Sequence, residues 1–351
     1  MADVKFISID GMGGDHAPRI VVEGLEHFAQ SHPDLRFLIH GDEVQLKLLM
    51  EKAPTAAPRV TIRHTDRSVA MDAKPSQMLR QGKGTSMWNA IESVKSGEAI
   101  AAVSAGNTGA LMALSMFILR KVEGVHRPAL VASWPTRKGV TAMLDLGADI
   151  AADAGQLVEF AIMGVAFARA VNGVKKPKVA LLNIGEEELK GHESIREAAR
   201  LLRTSNLPID FRGFIEADKI GSADIDVIVT DGFTGNIALK TAEGIAKMIS
   251  DMLKDALKSG PMAMLGAALA MPALKQFRSK MDPRKVNGAV FLGLNGVVVK
   301  SHGGTDAVGF AQAIKVAAGM GESSFRTEVE ENLRRLAPAS SPPSPAEQVA
   351  Q

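Results

Sequence analysis

The chain of 351 residues is 46% hydrophobic and 23% charged, the balance of a soluble globular protein with one large or two medium domains at ~150 residues each. Its 41 Lys and Arg against 39 Asp and Glu leave a net charge of +2, scattered rather than massed in runs, which argues against dedicated nucleic-acid binding. There is no cysteine, which excludes disulfides, thiolate zinc sites and a thiol nucleophile that would carry a covalent thioester.

In chain order, the start leads directly into a strand-like run, Phe6–Asp10, without the basic and apolar segments of a signal peptide, so a cytoplasmic location is expected. Further short β-branched runs follow at Phe37–His40, Val60–His64, Ile100–Val103, Val179–Asn183 and Val227–Thr230, most of them separated by helical patterns. That alternation predicts a doubly wound α/β fold with a mostly parallel sheet covered on both faces. Ala99–Leu119 is uncharged for 21 residues, but Ala105-Gly106-Asn107-Thr108-Gly109 near its centre would be costly in lipid, and it reads as a buried strand, a turn and a buried helix. Hairpins are expected at Ala129–Trp134 with Val140–Asp145, and at Ala289–Leu292 with Val297–Lys300, as edge strands or a dimer contact.

An amphipathic pattern from Ala238 to Lys258 leads into Pro261–Leu274, fourteen residues without a charge. Composition alone allows a buried helix, a dimer interface or a lipid-facing tip. Breaks at Pro261, Gly266 and Pro272, and flanking Lys254, Lys258, Lys275, Arg278 and Lys280, favour a helical hairpin over about 250–285 that lies against an anionic membrane surface through Met262, Met264, Leu265, Leu269, Met271 and Leu274. Residues 1–336 are taken as a single catalytic domain, and 337–351, rich in Pro, Ser and Ala, as a disordered tail.

Five strands end in small or polar turns that open a helix: Asp10–His16, Ser104–Gly109, Asn183–Gly191, Thr230–Asn236 and Ser301–Asp306. In a parallel sheet such ends share one edge, where ligands bind and helix N-termini offer N–H donors to an anion. Two of the turns are alike, AVSAGNTGALMAL and IVTDGFTGNIALK. Nucleotide motifs fail: His16 stands where the dinucleotide fingerprint after Gly11-Met12-Gly13 needs glycine, and Gln77 where a Walker loop ending Gly82-Lys83 needs its first. The implied ligand carries phosphate or a similar anion, and no cofactor is implied.

The stretches IDGMGGDHAP (Ile9–Pro18), SAGNTGALM (Ser104–Met112), RPAL (Arg127–Leu130), LLNIGEEELKG (Leu181–Gly191), TDGFTGNIALKT (Thr230–Thr241) and KSHGGTDA (Lys300–Ala307) make the chain resemble the bacterial phosphate acyltransferases. Gly11 stands where that family usually has alanine, and Asp149 where it usually has asparagine. The resemblance implies a fold like that of phosphate acetyltransferases and isocitrate dehydrogenases, usually as a homodimer. It implies transfer of a fatty acyl group from acyl-acyl carrier protein to inorganic phosphate, giving acyl phosphate for a membrane glycerol-3-phosphate acyltransferase, with no required metal. Alternatives are a phosphate acetyltransferase using coenzyme A and a noncatalytic anion-binding scaffold at the membrane.

On this reading His16, Lys190, Asn236 and His302 are the catalytic candidates: His16 to donate to phosphate or a leaving thiolate, Lys190 as the phosphate cation. Asp10, Gly13, Gly14, Asp15, Lys83, Ser104, Asn107, Thr108, Asn183, Asp231 and Thr234 are the binding candidates, with helix capping the competing explanation for the polar ones. Asp10, Asp231 and Asp306 are carboxylates at turns that also suit capping. The other histidines, His27, His32, His40, His64 and His126, lack metal-ligand spacing and are expected at the surface.

Overall fold

The structure, a computed structural model, describes residues 5–222, 224–280 and 282–336; the expected disordered tail lies outside the described residues. The N-terminal half runs β1 (Phe6–Asp10), α1 (Arg19–Ala29), β2 (Arg36–Gly41), α2 (Glu43–Met50), β3 (Val60–His64), α3 (Pro75–Gln81), α4 (Ser86–Lys95), β4 (Ala101–Ser104) and α5 (Thr108–Leu119). Then come β5 (Ala129–Pro135), β6 (Val140–Leu144), α6 (Ala154–Ala170), β7 (Lys178–Leu182), α7 (Glu193–Thr204), β8 (Asp210–Ile215) and β9 (Val227–Val229). The chain closes with α8 (Gly232–Leu257), α9 (Pro261–Leu269), α10 (Met271–Lys280), β10 (Ala289–Leu292), β11 (Val297–Lys300), α11 (Ala307–Glu322) and α12 (Phe325–Leu336).

All eleven strands join one sheet in the order β3-β2-β1-β4-β11-β10-β5-β6-β9-β7-β8. Pairings are parallel except β11–β10, β10–β5 and β5–β6. The mixed, mostly parallel α/β architecture agrees with the sequence reading, as do the strand positions; β8 and α3 were not anticipated. Two expectations change. Both hairpins form, but their strands occupy the middle of the sheet, and the edges are β3 and β8. The three antiparallel pairings also reverse strand direction, so β6, β9 and β7 run opposite to β1, β4 and β11. The five turns therefore divide: those after β1, β4 and β11 share one edge of the sheet, and those after β7 and β9 share the other.

Alternation along each strand sorts the layers. Ile7, Ile9, Val103, Val299, Val131, Leu144 and Val229 face one continuous core, covered by α1, α2, α6, α7, α11 and α12. The opposite face carries two smaller cores, one under α4 and α5 around Met87, Leu114, Phe291 and Val298, the other under the start of α8 around Met143, Ile228 and Leu239. Leu130 packs against both. Helix α6 is apolar nearly all round because it is buried nearly all round, and it opens with a reciprocal capping box between Asp153 and Gln156.

The segment 261–274 projects outward. Helix α9 has no buried residue, and Met262, Leu265 and Leu269 are 79%, 57% and 78% exposed, which removes the buried-helix option within this chain. Leu274 is only half-buried. No helix among the described residues is long and apolar enough to cross a membrane.

The density of the α6 contact sets a stability test. A Cβ at Gly164 would lie 2.5 Å from Val227 Cγ1 and 2.9 Å from Leu144 Cδ2, whereas one at Gly244 in α8 meets nothing within 4 Å. Gly164→Ala should lower the unfolding free energy by ~1–3 kcal/mol and Gly244→Ala raise it by ~0.5–1 kcal/mol, read from urea midpoints. Equal effects would mean that α6 is not packed against β6 and β9 as described.

Candidate functional site

Residues at or next to the ends of four neighbouring strands form a polar row. Asp10 is level with His40 on β2, Ile9 pairs with Val103 so that Asp10 adjoins Ser104, and Ser104 is level with Lys300. Since Ile9, Ile39, Val103 and Val299 face the large core, His40, Asp10, Ser104 and Lys300 all face the α4–α5–α8 side. The Ser104 hydroxyl donates to Asp10 Oδ2 at 2.6 Å, and the Gly106 N–H donates to Ser104 Oγ at 3.0 Å. Burial pushes the Asp10 carboxyl above its ordinary range, with its hydrogen bonds pulling back.

Three turns close over this row. The Asp15 N–H donates to the Gly303 carbonyl at 3.0 Å, and a Cβ on Gly13 would fall 2.3 Å from Asp10 Oδ2 and 2.8 Å from the Gly106 nitrogen. Only glycine lets the first turn approach so closely. Exposed His16 lines a surface depression with Arg19, Gly304, Thr305 and Asp306. His302, also exposed, is held by its N–H to Asn287 Oδ1 at 3.1 Å, while Asn287 Nδ2 donates to the buried Ser301 Oγ at 2.8 Å. Thus Asp10, Gly13, Gly14, Asp15, His16, Ser104 and His302 gather as the sequence suggested.

Lys300 was not among the sequence candidates. Its ammonium donates to the carbonyls of Ala105, at 3.4 Å, and of Ser301. Burial pushes it down to about 8 against the pull of Asp15 and Asp10, and the charge of Lys240, on α8, adds to the push. The available signal was a lysine closing the otherwise apolar run Val297–Lys300, directly before Ser301-His302-Gly303-Gly304.

The remaining candidates lie elsewhere or act as caps. Asn107 caps α5 by accepting from the Ala110 N–H at 2.8 Å and donates to the Met71 carbonyl at 2.6 Å. Thr108 is exposed at the start of that helix. Asp231 caps α8 through the Thr234 N–H and hydroxyl, at 2.9 and 2.7 Å. Asp306 caps α11 and pairs with Arg284 at 2.8 Å. Exposed Lys83 precedes α4 and offers its carbonyl to Arg67. Asn183, Lys190 and Asn236 stand at the opposite edge of the sheet: Asn183 donates to the Lys190 carbonyl at 3.2 Å, Lys190 is exposed, and exposed Asn236 adjoins Gly147. The strand reversal separates them from His16.

At that second edge Asp145, fully buried, accepts backbone N–H bonds from Leu130, Gly147, Ala148 and Asp149 at 2.8–3.1 Å. Burial raises its carboxyl despite these donors. Asp149, 3.5 Å from Arg127 Nε, belongs to this turn. Among the described residues no three His, Asp or Glu side chains gather as metal ligands. The surface expectation fails for His40, which is 4% exposed and shares Nε2 with Ser8 at 3.0 Å and Ser93 at 3.3 Å. His126 is exposed but pairs with buried Glu159.

A family model described as fatty acid synthesis protein matches residues 5–328. A phosphate acyltransferase of Caulobacter vibrioides is 55% identical over 336 residues, covering 96% of this chain and 93% of that protein. One of Parvibaculum lavamentivorans is 55% identical over 94% of this chain and 92% of that protein. Among solved structures, the EutD phosphotransacetylase from Staphylococcus aureus aligns with a TM-score of 0.60 at 17% identity over 90% of this chain and 94% of that one, a likeness of fold.

His40 supplies a pH test. Burial, aided by the charge of Arg63, pushes it down to about 4 from its ordinary 6.5. The unfolded chain therefore takes up a proton near pH 6.5 that the native protein refuses until about 4, so this contribution to stability is present above 6.5 and lost as pH falls through that window. Between pH 7 and 4.5 wild type should lose roughly 2 kcal/mol more than His40→Gln in urea unfolding. A gap between the two that does not change with pH would contradict the buried, neutral imidazole.

Proposed function

The chain belongs to the phosphate acyltransferases of the fatty acid synthesis protein family, and on that premise we propose that it moves a fatty acyl group from acyl-acyl carrier protein to inorganic phosphate. The observation that carries this reading is the row Asp10–Ser104–Lys300 beneath three glycine-rich turns, in a chain with no cysteine. A phosphate oxygen attacks the thioester carbonyl carbon, the C–O bond forms, the C–S bond breaks, and the leaving thiolate takes a proton. Such a reaction needs no enzyme thiol. It needs the phosphate held in line and donors for the oxygen that gains charge. Exposed His16 and His302, on the turns after β1 and β11, are side-chain donors for these tasks.

The expected products are free carrier thiol and an acyl phosphate trapped by hydroxylamine as the hydroxamate. Acyl-carrier-protein and coenzyme A thioesters offered separately distinguish this enzyme from a phosphate acetyltransferase, and thiol release unchanged by omitting phosphate would overturn the reading. A protein without phosphate-dependent turnover would be the noncatalytic scaffold.

The reading extends to place and assembly. The outward segment Pro261–Leu274 is the contact with an anionic membrane surface, where a long-chain acyl phosphate passes to a membrane glycerol-3-phosphate acyltransferase, and the protein works as a homodimer. At ~1.5 Å per residue the segment reaches about 21 Å, enough to lie in the interface but not to span a ~30 Å core. Wild type should float with anionic liposomes and Leu265→Glu/Leu269→Glu should not, both remaining dimers by light scattering. A double variant that becomes monomeric would assign the segment to the dimer interface instead.

A further inference from the structure

Resting on the reading above, we propose that Lys300, together with Lys240 brought to it by α8, forms the cationic seat for inorganic phosphate. The two lysines come from opposite halves of the sheet. Lys300 ends β11 at the first edge, whereas α8 leaves β9 at the second edge and runs back across the face, packing Ala238 and Leu239 near Met143 and Ile228. Eight residues along, or ~12 Å, it carries Lys240 close enough for its charge to act on Lys300. Two positive charges from opposite halves of the sheet are thus brought toward each other on this face.

No carboxylate among the described residues touches Lys300 to balance it directly: none lies within 4 Å of its ammonium, Asp10 and Asp15 act from farther away, and its bonds go to backbone carbonyls. A largely buried cation without an ion-pair partner is costly, and bringing a second cation toward it costs more. An anion between them reverses both penalties. Lys240 has a partner, Glu243 at 2.7 Å, but this is an exposed pair one helical turn apart, of the kind that contributes little and exchanges readily. An ammonium has three donors, and Lys300 commits two, so one remains for a phosphate oxygen. Lys190 and Lys83, the cations that the sequence suggested, are both exposed, and Lys190 stands at the other edge.

The seat depends on pH. The charged and titratable groups around Lys300 are Asp10 on β1, Asp15 and His302 in the adjoining turns, Asp306 and Arg284 by α11, and Lys240 on α8; β4 and β10 contribute none. With Lys300 titrating at about 8, phosphate is gripped below that pH and released as the ammonium loses its proton above it.

The test measures initial rates against phosphate and against acyl donor separately, from pH 7 to 9.5, and phosphate-dependent thermal stabilisation, for wild type, Lys300→Met, Lys300→Arg and Lys240→Met. Expected are a phosphate KM raised ~100-fold in Lys300→Met and about tenfold in Lys240→Met with donor KM nearly unchanged, and loss of the phosphate-induced rise in Tm in Lys300→Met. Wild-type kcat/KM for phosphate should fall above pH 8, and Lys300→Arg should move that limb upward. Lys240→Met, on an exposed helix face, reads the inference even where Lys300→Met does not fold. A phosphate KM within twofold of wild type in Lys240→Met, equal rises in both KM values, or an alkaline limb unmoved by Lys300→Arg would overturn it. Absence of any phosphate-dependent turnover in wild type would overturn the acyltransferase reading instead, while phosphate-dependent stabilisation lost in Lys300→Met would still uphold the anion seat.

Discussion

Between β11 and β6 the sheet reverses direction through three consecutive antiparallel pairings, and the placement of every polar turn follows from that reversal. The chemistry-bearing turns follow strand ends, so the direction of a strand decides which edge receives its chemistry. Three turns reach one edge and two the other. On the face that carries the two smaller cores, α8 starts over the second half of the sheet and brings Lys240 toward the first. Its length serves three ends: the first turns pack on the second half of the sheet, Lys240, its ninth residue, comes toward Lys300, and the remainder leaves the body as an arm.

Around the row the charges are arranged in mutual opposition. Burial disfavours the ionised forms of Asp10 and Lys300 alike; hydrogen bonds from Ser104 and the turn backbone pull Asp10 back toward ionisation, and the charges of Asp15 and Asp10 do so for Lys300. His40 lies at the far end of the row, deep enough that it stays neutral, and it holds its place through Ser8 and Ser93 rather than through a charge. The second edge solves the same problem differently. Asp145 is satisfied by four backbone N–H groups, which fixes the turn through Asp149 and leaves little capacity for a ligand. The similar turns at Ser104–Gly109 and Thr230–Asn236 therefore stand beside unlike carboxylates: Asp10 belongs to a cluster with a cation, Asp145 to a closed turn.

The arm is the other departure from an ordinary buried fold. Exposed Ile245, Met248, Ile249 and Met252 continue along α8 into a tip whose apolar residues face away from the body. A helix without a polar face that remains uncovered by its own chain presents a surface for something else, and its breaks at Pro261 and Pro272 keep it from being absorbed as one straight extension of α8.

The amino-acid pattern by itself determined the local and the compositional features. Short β-branched runs located β1, β2, β3, β4, β7 and β9, glycine and capping residues located the turns, the lack of cysteine confined the chemistry, and the uncharged stretch after Pro261 marked the arm, because each depends on residues close together in sequence. Asp10, Ser104 and the glycines beside them were legible for the same reason. Tertiary structure alone decided that the hairpins lie in mid-sheet, that Lys190 and Asn236 are parted from His16, that His40 is buried, and that Lys300 faces Lys240. Those facts turn on strand direction and on neighbours far apart in the chain, as in the Ser8–His40, Ser93–His40, Lys240–Lys300 and Asp10–Lys300 relations. A lysine at a strand end looks the same in sequence whether water or a buried polar row surrounds it; only the packing sets the desolvation that makes its charge consequential.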